Sequence, residues 1–182
     1  QFCLGMEFTA SQGMKCHRDI KPANIMITQQ KDVKISDFGL AGIVSAIFPV
    51  SGMEPAGVPS GAPAQTMMGD SFGTPTHMPP EQFVSAAACD ERSDIYSFGI
   101  VLYQMASGGD LPFVAPYPKD NSPAEMNRFW KEMQELHALS VPPQLDSPLF
   151  PIIRRCVEKE PDKRYQSFAE LRAELEPLLL DL

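Results

Sequence analysis

The spacing of hydrophobic side chains along the chain predicts a largely helical protein. Apolar residues recur every three or four positions in four stretches, which is typical of helices that bury one face. These stretches are residues 2–10, 122–139, 149–157 and 168–178. A fifth stretch, 94–103, is apolar on almost every side after its first residue. It predicts a helix buried all round, with Asp94 as its N-terminal cap.

Two short runs near the start of the chain predict a β-hairpin. Residues 24–28 and 33–36 are rich in Ile, Met and Val and are separated by a polar turn at 29–32. Such runs on either side of a turn are typical of paired strands. In the second strand, Val33 and Ile35 fall on one face and are expected to point inward.

Residues 40–72 follow neither pattern. Proline and glycine are spread through this segment, and no Lys or Arg occurs between positions 34 and 92. The composition supports neither a helix nor a strand. Because a long stretch without regular structure is uncommon inside a compact domain, it indicates a functional segment. A tolerated insertion without a function is the alternative.

Length, composition and charge are those of one soluble globular domain. The chain has 182 residues, of which 43% are hydrophobic, enough for one core. Its net charge of −8 argues against nucleic acid or an anionic membrane as the main partner. No run spans a bilayer and no signal peptide opens the chain, so we expect a cytoplasmic protein, although the full-length protein could carry a membrane segment elsewhere. The four cysteines lack metal-ligand spacing and are expected to be free thiols.

Candidate chemistry is concentrated in Asp19, Lys21, Asn24 and Asp37. Carboxylate and amide oxygens suit Mg²⁺, a carboxylate can accept a proton, and a lysine offers a point charge to a phosphate. One Asp or Asn in a loop would usually be only a turn residue. Because these four residues occur together and in this order, we favour a catalytic interpretation.

These residues resemble the motifs of the protein kinase superfamily. The letters HRDIKPAN at 17–24 resemble the catalytic-loop motif H-R-D-L-x-x-x-N, with Ile20 in place of Leu. DFG stands at 37–39, and PPE at 79–81 occupies the place of A-P-E. Lys21, two residues after Asp19, is the serine/threonine-kinase form. The resemblance implies a mainly α (α+β) fold: the large C-terminal lobe of a kinase domain over 1–182, with 40–72 as a long activation segment.

The resemblance also implies a site that uses ATP and Mg²⁺ to phosphorylate a Ser or Thr hydroxyl of a protein. Asp19 would be the catalytic base, Lys21 would stabilise the transferred phosphoryl group, and Thr74 would bond both. Asn24 and Asp37 would hold the metal ion. Met26 would lie beneath the adenine ring, although filling the core is an equally good interpretation of this residue.

Further residues have structural or regulatory roles by the same resemblance. Asp94 would hold the catalytic-loop backbone, and Glu81 would pair with Arg164. Arg18 would receive a phosphate from the activation segment. The remaining members of this set are the motif residues His17, Phe38 and Gly39 and the candidate phosphate acceptors Thr66 and Ser71.

The small N-terminal lobe of the kinase family is not recognisable in this sequence. We find neither a strand-borne G-x-G-x-x-G nor V-A-I-K, so that lobe is expected to be a missing partner and the chain alone to be inactive. A non-catalytic pseudokinase or scaffold is the alternative function. Lys21, Thr74 and Pro80–Glu81 argue against a small-molecule phosphotransferase.

Overall fold

The structure is a computed structural model that describes residues 1–38 and 75–179. Gly39, Thr66, Ser71 and Thr74 lie outside the described residues, as does the proposed activation segment 40–72. The described part is mainly helical with one small sheet, as the sequence predicts. None of its helices is long and apolar enough to cross a membrane.

The helices and strands of the described residues follow in chain order. They are α1 (Phe2–Ser11), β1 (Ile25–Ile27), β2 (Val33–Ile35), α2 (Pro80–Val84), α3 (Glu91–Ala106), α4 (Pro123–Leu139), α5 (Phe150–Cys156) and α6 (Phe168–Leu175). Short 3-10 turns occupy Pro22–Asn24, Pro75–His77, Ala86–Ala88, Pro161–Lys163 and Glu176–Leu179.

Helix α3 lies at the centre of the core. Its residues from Ser93 to Tyr103 are all buried, which confirms the expectation of a helix covered on every side. It packs closely on α5 at Gly99, where an added Cβ would come within 2.5 Å of the Cys156 Cβ. A side chain at this position would force the two helices apart, so the close packing requires glycine.

The prediction that Asp94 caps α3 is wrong. The helix begins one turn earlier, and Asp90 is its cap: the Asp90 carboxylate accepts from the Arg92 N–H at 2.9 Å. The Asp90 N–H in turn donates to the Ser93 hydroxyl at 3.3 Å, which completes a capping box. Asp94 therefore lies inside the first turn, and its carboxylate is free to bind another part of the chain.

The β-hairpin is present but shorter than predicted. β1 and β2 pair antiparallel with Met26 opposite Lys34, and the 3-10 turn at Pro22–Asn24 delays the start of β1. Val33 and Ile35 pack against the core, as expected. The Met26 side chain is 52% exposed, so the interpretation that it fills the core is not supported.

The C-terminal helices agree with the periodic pattern. Ser122 caps α4, and Ser167 caps α6, each accepting from a backbone N–H of the first turn. Helix α4 buries Phe129 and Met133 in a second apolar cluster that includes Phe83 of α2. These contacts hold α2, which carries the PPE motif, against the helical body.

Candidate active site

The loop that carries the candidate catalytic residues is anchored to α3 through Asp94. This side chain is 1% exposed, and its two oxygens accept from the backbone N–H groups of His17 at 2.6 Å and Arg18 at 2.8 Å. Burial raises the pKa of Asp94, while these two donors act in the opposite direction. Arg18 adopts a φ of 69°, in the left-handed region, and the two bonds hold this backbone in place.

Asp19, Lys21 and Asn24 are brought together by direct contacts. The Asn24 Nδ2 donates to the Asp19 carbonyl oxygen at 2.8 Å and to the Asp19 Oδ2 at 2.9 Å. The Lys21 Nζ lies 2.9 Å from the same Oδ2. Asn24 is buried, whereas the Asp19 side chain is 40% exposed. The amide therefore fixes a carboxylate that remains accessible from solvent.

The end of the hairpin joins this loop to Asp37. The Ser36 N–H donates to the Asn24 carbonyl at 3.0 Å, and the Ser36 hydroxyl donates to Asp37 Oδ2 at 3.0 Å. Asp37 is exposed and has a φ of 61°. A left-handed conformation costs a non-glycine residue about 1–2 kcal/mol, and such strain is concentrated at functional sites.

The His17 side chain connects the catalytic loop to the residues that follow the hairpin. Its Nδ1 accepts from the Asp19 N–H at 3.3 Å, so its Nε2 carries the proton and donates to the Ser36 carbonyl at 2.9 Å. The Phe38 ring packs edge-on against the imidazole, with 4.7 Å between ring centroids. The buried imidazole thus fixes the backbones before both Asp19 and Asp37.

Glu81 and Arg164 form the expected ion pair. The Arg164 NH1 and NH2 donate to the two Glu81 carboxylate oxygens at 2.7 and 2.9 Å, and the Arg164 side chain is fully buried. Burial raises the pKa of Glu81, but hydrogen bonds from Arg164 and Ser93 more than offset this, so its pKa lies below the usual value. The pair links α2 to the segment before α6.

Arg18, the residue before Asp19, has one unused donor and one contact that the sequence did not predict. The Arg18 Nε is buried without a hydrogen-bond partner among the described residues, which leaves a donor for an anion. Sequence reasoning missed Gln82, whose Nε2 donates to the Arg18 carbonyl at 3.0 Å. Its only sequence signal is its place directly after the PPE motif.

Comparison with known proteins identifies the family. The model of the protein kinase domain matches residues 1–174, so the chain belongs to the protein kinase domain family. The chain is 32% identical over 173 residues to the serine/threonine-protein kinase PknB of Mycolicibacterium smegmatis, an alignment that covers 95% of this chain and 24% of that protein.

Two further relatives give the same result. A probable serine/threonine-protein kinase of Clostridium acetobutylicum is 33% identical over 180 residues, covering 96% of this chain and 23% of that protein. PknB of Mycobacterium tuberculosis is 31% identical over 178 residues, covering 95% of this chain and 24% of that protein. The chain therefore spans about a quarter of the length of the curated relatives it matches.

Proposed function

We propose that this chain is the large lobe of a serine/threonine protein kinase, which transfers the γ-phosphoryl group of ATP to a hydroxyl group of a protein. The observation that carries the proposal is the shared Asp19 Oδ2, held by both the Asn24 amide and the Lys21 ammonium group. This is the arrangement expected of a positioned base beside a phosphate-binding cation. The relatives named as serine/threonine kinases support the same substrate class.

Asp19 is assigned as the residue that orients the substrate hydroxyl and accepts its proton. Within the described residues its Oδ2 is engaged by Asn24 and Lys21, so we assign its Oδ1 to face the hydroxyl. Lys21 is placed to stabilise negative charge on the transferred phosphoryl group. By the family resemblance, the Thr74 hydroxyl would bond Asp19 and Lys21, although Thr74 lies outside the described residues.

Asn24 and Asp37 fit the role of magnesium ligands. The Asn24 Nδ2 is committed to Asp19, while its amide oxygen has no hydrogen bond to another described residue, and the Asp37 carboxylate is exposed. Both groups are hard oxygen donors of the kind that Mg²⁺ prefers. When bound, Mg²⁺ would neutralise charge on the ATP phosphates. The exposed Met26 side chain is assigned to the adenine ring.

Residues 1–182 are assigned as the large lobe, with 40–72 as its activation segment. In the whole protein, the face with Asp19 and Asp37 would be completed by the glycine-rich loop and strand lysine of the small lobe. A protein bearing an accessible Ser or Thr is the proposed substrate.

The test is a kinase assay on the longest protein in which this chain occurs, with magnesium, ATP and myelin basic protein as the substrate. Asp19→Asn should lower kcat about 100-fold or more, because general base catalysis contributes roughly that factor, and should leave the KM for ATP unchanged. Asp146→Asn is the matched control, since Asp146 is an exposed acid outside the site.

The control should keep wild-type turnover. Phosphoamino-acid analysis of the product should give phosphoserine and phosphothreonine. If Asp19→Asn keeps its turnover, or if the wild-type protein transfers no phosphate, the proposed function is wrong.

A further inference from the structure

The peptide group between Arg18 and the candidate base Asp19 is held by side chains at both of its polar atoms. Its carbonyl oxygen, on Arg18, accepts from the Gln82 Nε2 at 3.0 Å. Its N–H, on Asp19, donates to the His17 Nδ1 at 3.3 Å. Because a peptide group is planar and rotates as one unit, holding both atoms opposes its rotation. The orientation of this peptide in turn sets the direction in which the Asp19 side chain leaves the backbone.

The backbone at Arg18 needs such support. Its φ of 69° lies in the left-handed region, which residues with a side chain rarely adopt because the Cβ crowds the backbone there. The Asp94 Oδ1 accepts from the Arg18 N–H at 2.8 Å and so restrains φ, whereas Gln82 holds the next peptide and so restrains ψ. The family resemblance led us to expect that Asp94 would hold this loop, but Gln82 was not predicted.

Gln82 belongs to helix α2, and its neighbours in this helix are firmly anchored. The Glu81 carboxylate is bound by the buried Arg164 guanidinium group and by the Ser93 hydroxyl at 2.7 Å. On the other side, Phe83 is buried in the second apolar cluster. The Gln82 side chain therefore reaches the catalytic loop from a rigid support, which is what precise positioning of another residue requires.

The acceptor on Arg18 determines which end of the Gln82 amide faces the loop. A backbone carbonyl can only accept hydrogen bonds, so the donor end of the amide, Nε2, must be the atom directed at it. The Gln82 Oε1 lies 3.9 Å from the Cys89 Sγ, which is a weak donor. A substitution that keeps the length of the side chain but lacks the Nε2 donor should therefore remove the bond to the loop and little else.

We propose that Gln82 is a positioning residue for phosphoryl transfer: by holding the Arg18 carbonyl, it keeps the Asp19 carboxylate directed at the substrate hydroxyl. This role rests on the proposed function, because it is defined by what Asp19 does there. The Asp19 side chain is 40% exposed, so burial does little to orient it. Asn24 and Lys21 hold its Oδ2, while its backbone depends on the peptide that Gln82 restrains.

The kinetic test compares Gln82→Met with the wild-type protein in the longest protein that contains this chain. Methionine has a similar length but no donor, so kcat should fall about 10-fold, the upper range for loss of one neutral hydrogen bond. The KM for ATP should not change, because the proposed ATP contacts are left intact. Gln144→Met is the matched control, since the Gln144 side chain is exposed and bonds the carbonyl of the adjacent Leu145. This control should keep wild-type turnover.

A double-mutant cycle separates positioning of the base from a general structural role. If Gln82 acts through Asp19, Gln82→Met should lower kcat by only about twofold or less in the Asp19→Asn background, because the base that it orients is already gone. If Gln82 only stabilises the fold, the two effects should multiply. Urea unfolding checks that each variant keeps the wild-type midpoint. Gln82→Glu, which keeps the shape but has no donor when ionised, replaces Gln82→Met if the latter is not folded.

Hydrogen exchange tests the restraint on the loop without reference to kinase activity. Exchange is measured by mass spectrometry on the same protein, in pepsin fragments that contain residues 17–20 and 95–103. Gln82→Met should accelerate exchange in the first fragment about 10-fold, because the N–H groups of Arg18 and Asp19 open more easily once the bond is lost. The second fragment, from the buried helix α3, should not change. Gln144→Met should change neither fragment.

The proposal is overturned if Gln82→Met leaves either turnover or exchange at 17–20 equal to that of the wild-type protein. It is also overturned if the tenfold loss of kcat persists in the Asp19→Asn background, because Gln82 then does not act through the base. A wild-type protein that transfers no phosphate would contradict the proposed function instead. In that case the exchange measurement still supports or refutes the hold of Gln82 on the loop.

Discussion

The buried guanidinium group of Arg164 provides the sharpest test of the fold. An arginine has five N–H donors, and here each has an acceptor. Two bonds go to the Glu81 carboxylate, and three go to the backbone carbonyls of Glu158, Lys159 and Arg92 at 2.7, 3.1 and 3.0 Å. One side chain thus joins α2, the start of α3 and the chain after α5.

Arg164→Met should therefore be strongly destabilising. Removing one member of a buried ion pair costs about 3–5 kcal/mol, because the remaining charge is left buried without a partner. With a urea dependence of about 3 kcal/mol/M for a chain of this size, the midpoint of unfolding should fall by roughly 1–2 M. Arg164→Lys should recover little, since an ammonium group has three donors and no planar fork.

The assay is urea unfolding of the 182-residue chain, followed by circular dichroism. Arg128→Met is the matched control: Arg128 pairs with Glu125 and Glu132 on the solvent-facing side of α4, and exposed pairs contribute little. Glu81→Leu combined with Arg164→Met should be less harmful than the sum of the single changes, because no unpaired charge remains. If Arg164→Met shifts the midpoint no more than Arg128→Met, the reasoning on this buried pair is wrong.

Two further predictions concern acid and phosphorylation. Burial lowers the pKa of His77 to about 4 and that of His137 to about 3, below the value of about 6.5 in an unfolded chain. As the pH falls from 6.5 to 4, these histidines take up protons in the unfolded state before they do so in the folded state, which destabilises the fold. The urea midpoint should therefore fall across this pH range. It should fall less steeply in His137→Gln than in the wild-type protein. Phosphopeptide mapping after incubation with magnesium and ATP should find phosphate on Thr66 or Ser71. The proposed cation for this phosphate is Arg18, whose Nε has no hydrogen-bond partner among the described residues. If Thr66→Ala/Ser71→Ala keeps full activity, this control mechanism is contradicted.

Periodicity was sufficient to predict the elements that surround the site. The all-round apolar stretch became the central helix α3, and the amphipathic stretch became α4, since burial of a helix face depends on spacing that is visible in the sequence. The β-hairpin was predicted for the same reason. Its shorter β1 reflects the local 3-10 turn at Pro22–Asn24, which hydrophobic spacing does not encode.

Contacts between distant residues were not visible in that pattern. Asp90 and Asp94 are equally good helix caps by residue type. Asp90 is the cap because it forms a capping box with Ser93, whereas Asp94 binds the N–H groups of His17 and Arg18 instead. His137 lies at an inward position of α4, but its burial depends on a 2.9 Å hydrogen bond with the Tyr96 hydroxyl. The Glu81–Arg164 pair was predicted only because the family resemblance supplied it.

The central claim is that Asp19, Asn24 and Asp37 form one phosphoryl-transfer site that uses magnesium. The most direct test measures transfer of ³²P from [γ-³²P]ATP to a protein substrate across a magnesium titration, for the wild-type protein and for Asp37→Asn. Replacing the carboxylate removes a charged metal ligand, so we predict that Asp37→Asn will need far more magnesium or transfer no phosphate. A magnesium profile and maximal rate identical to those of the wild-type protein would contradict the account.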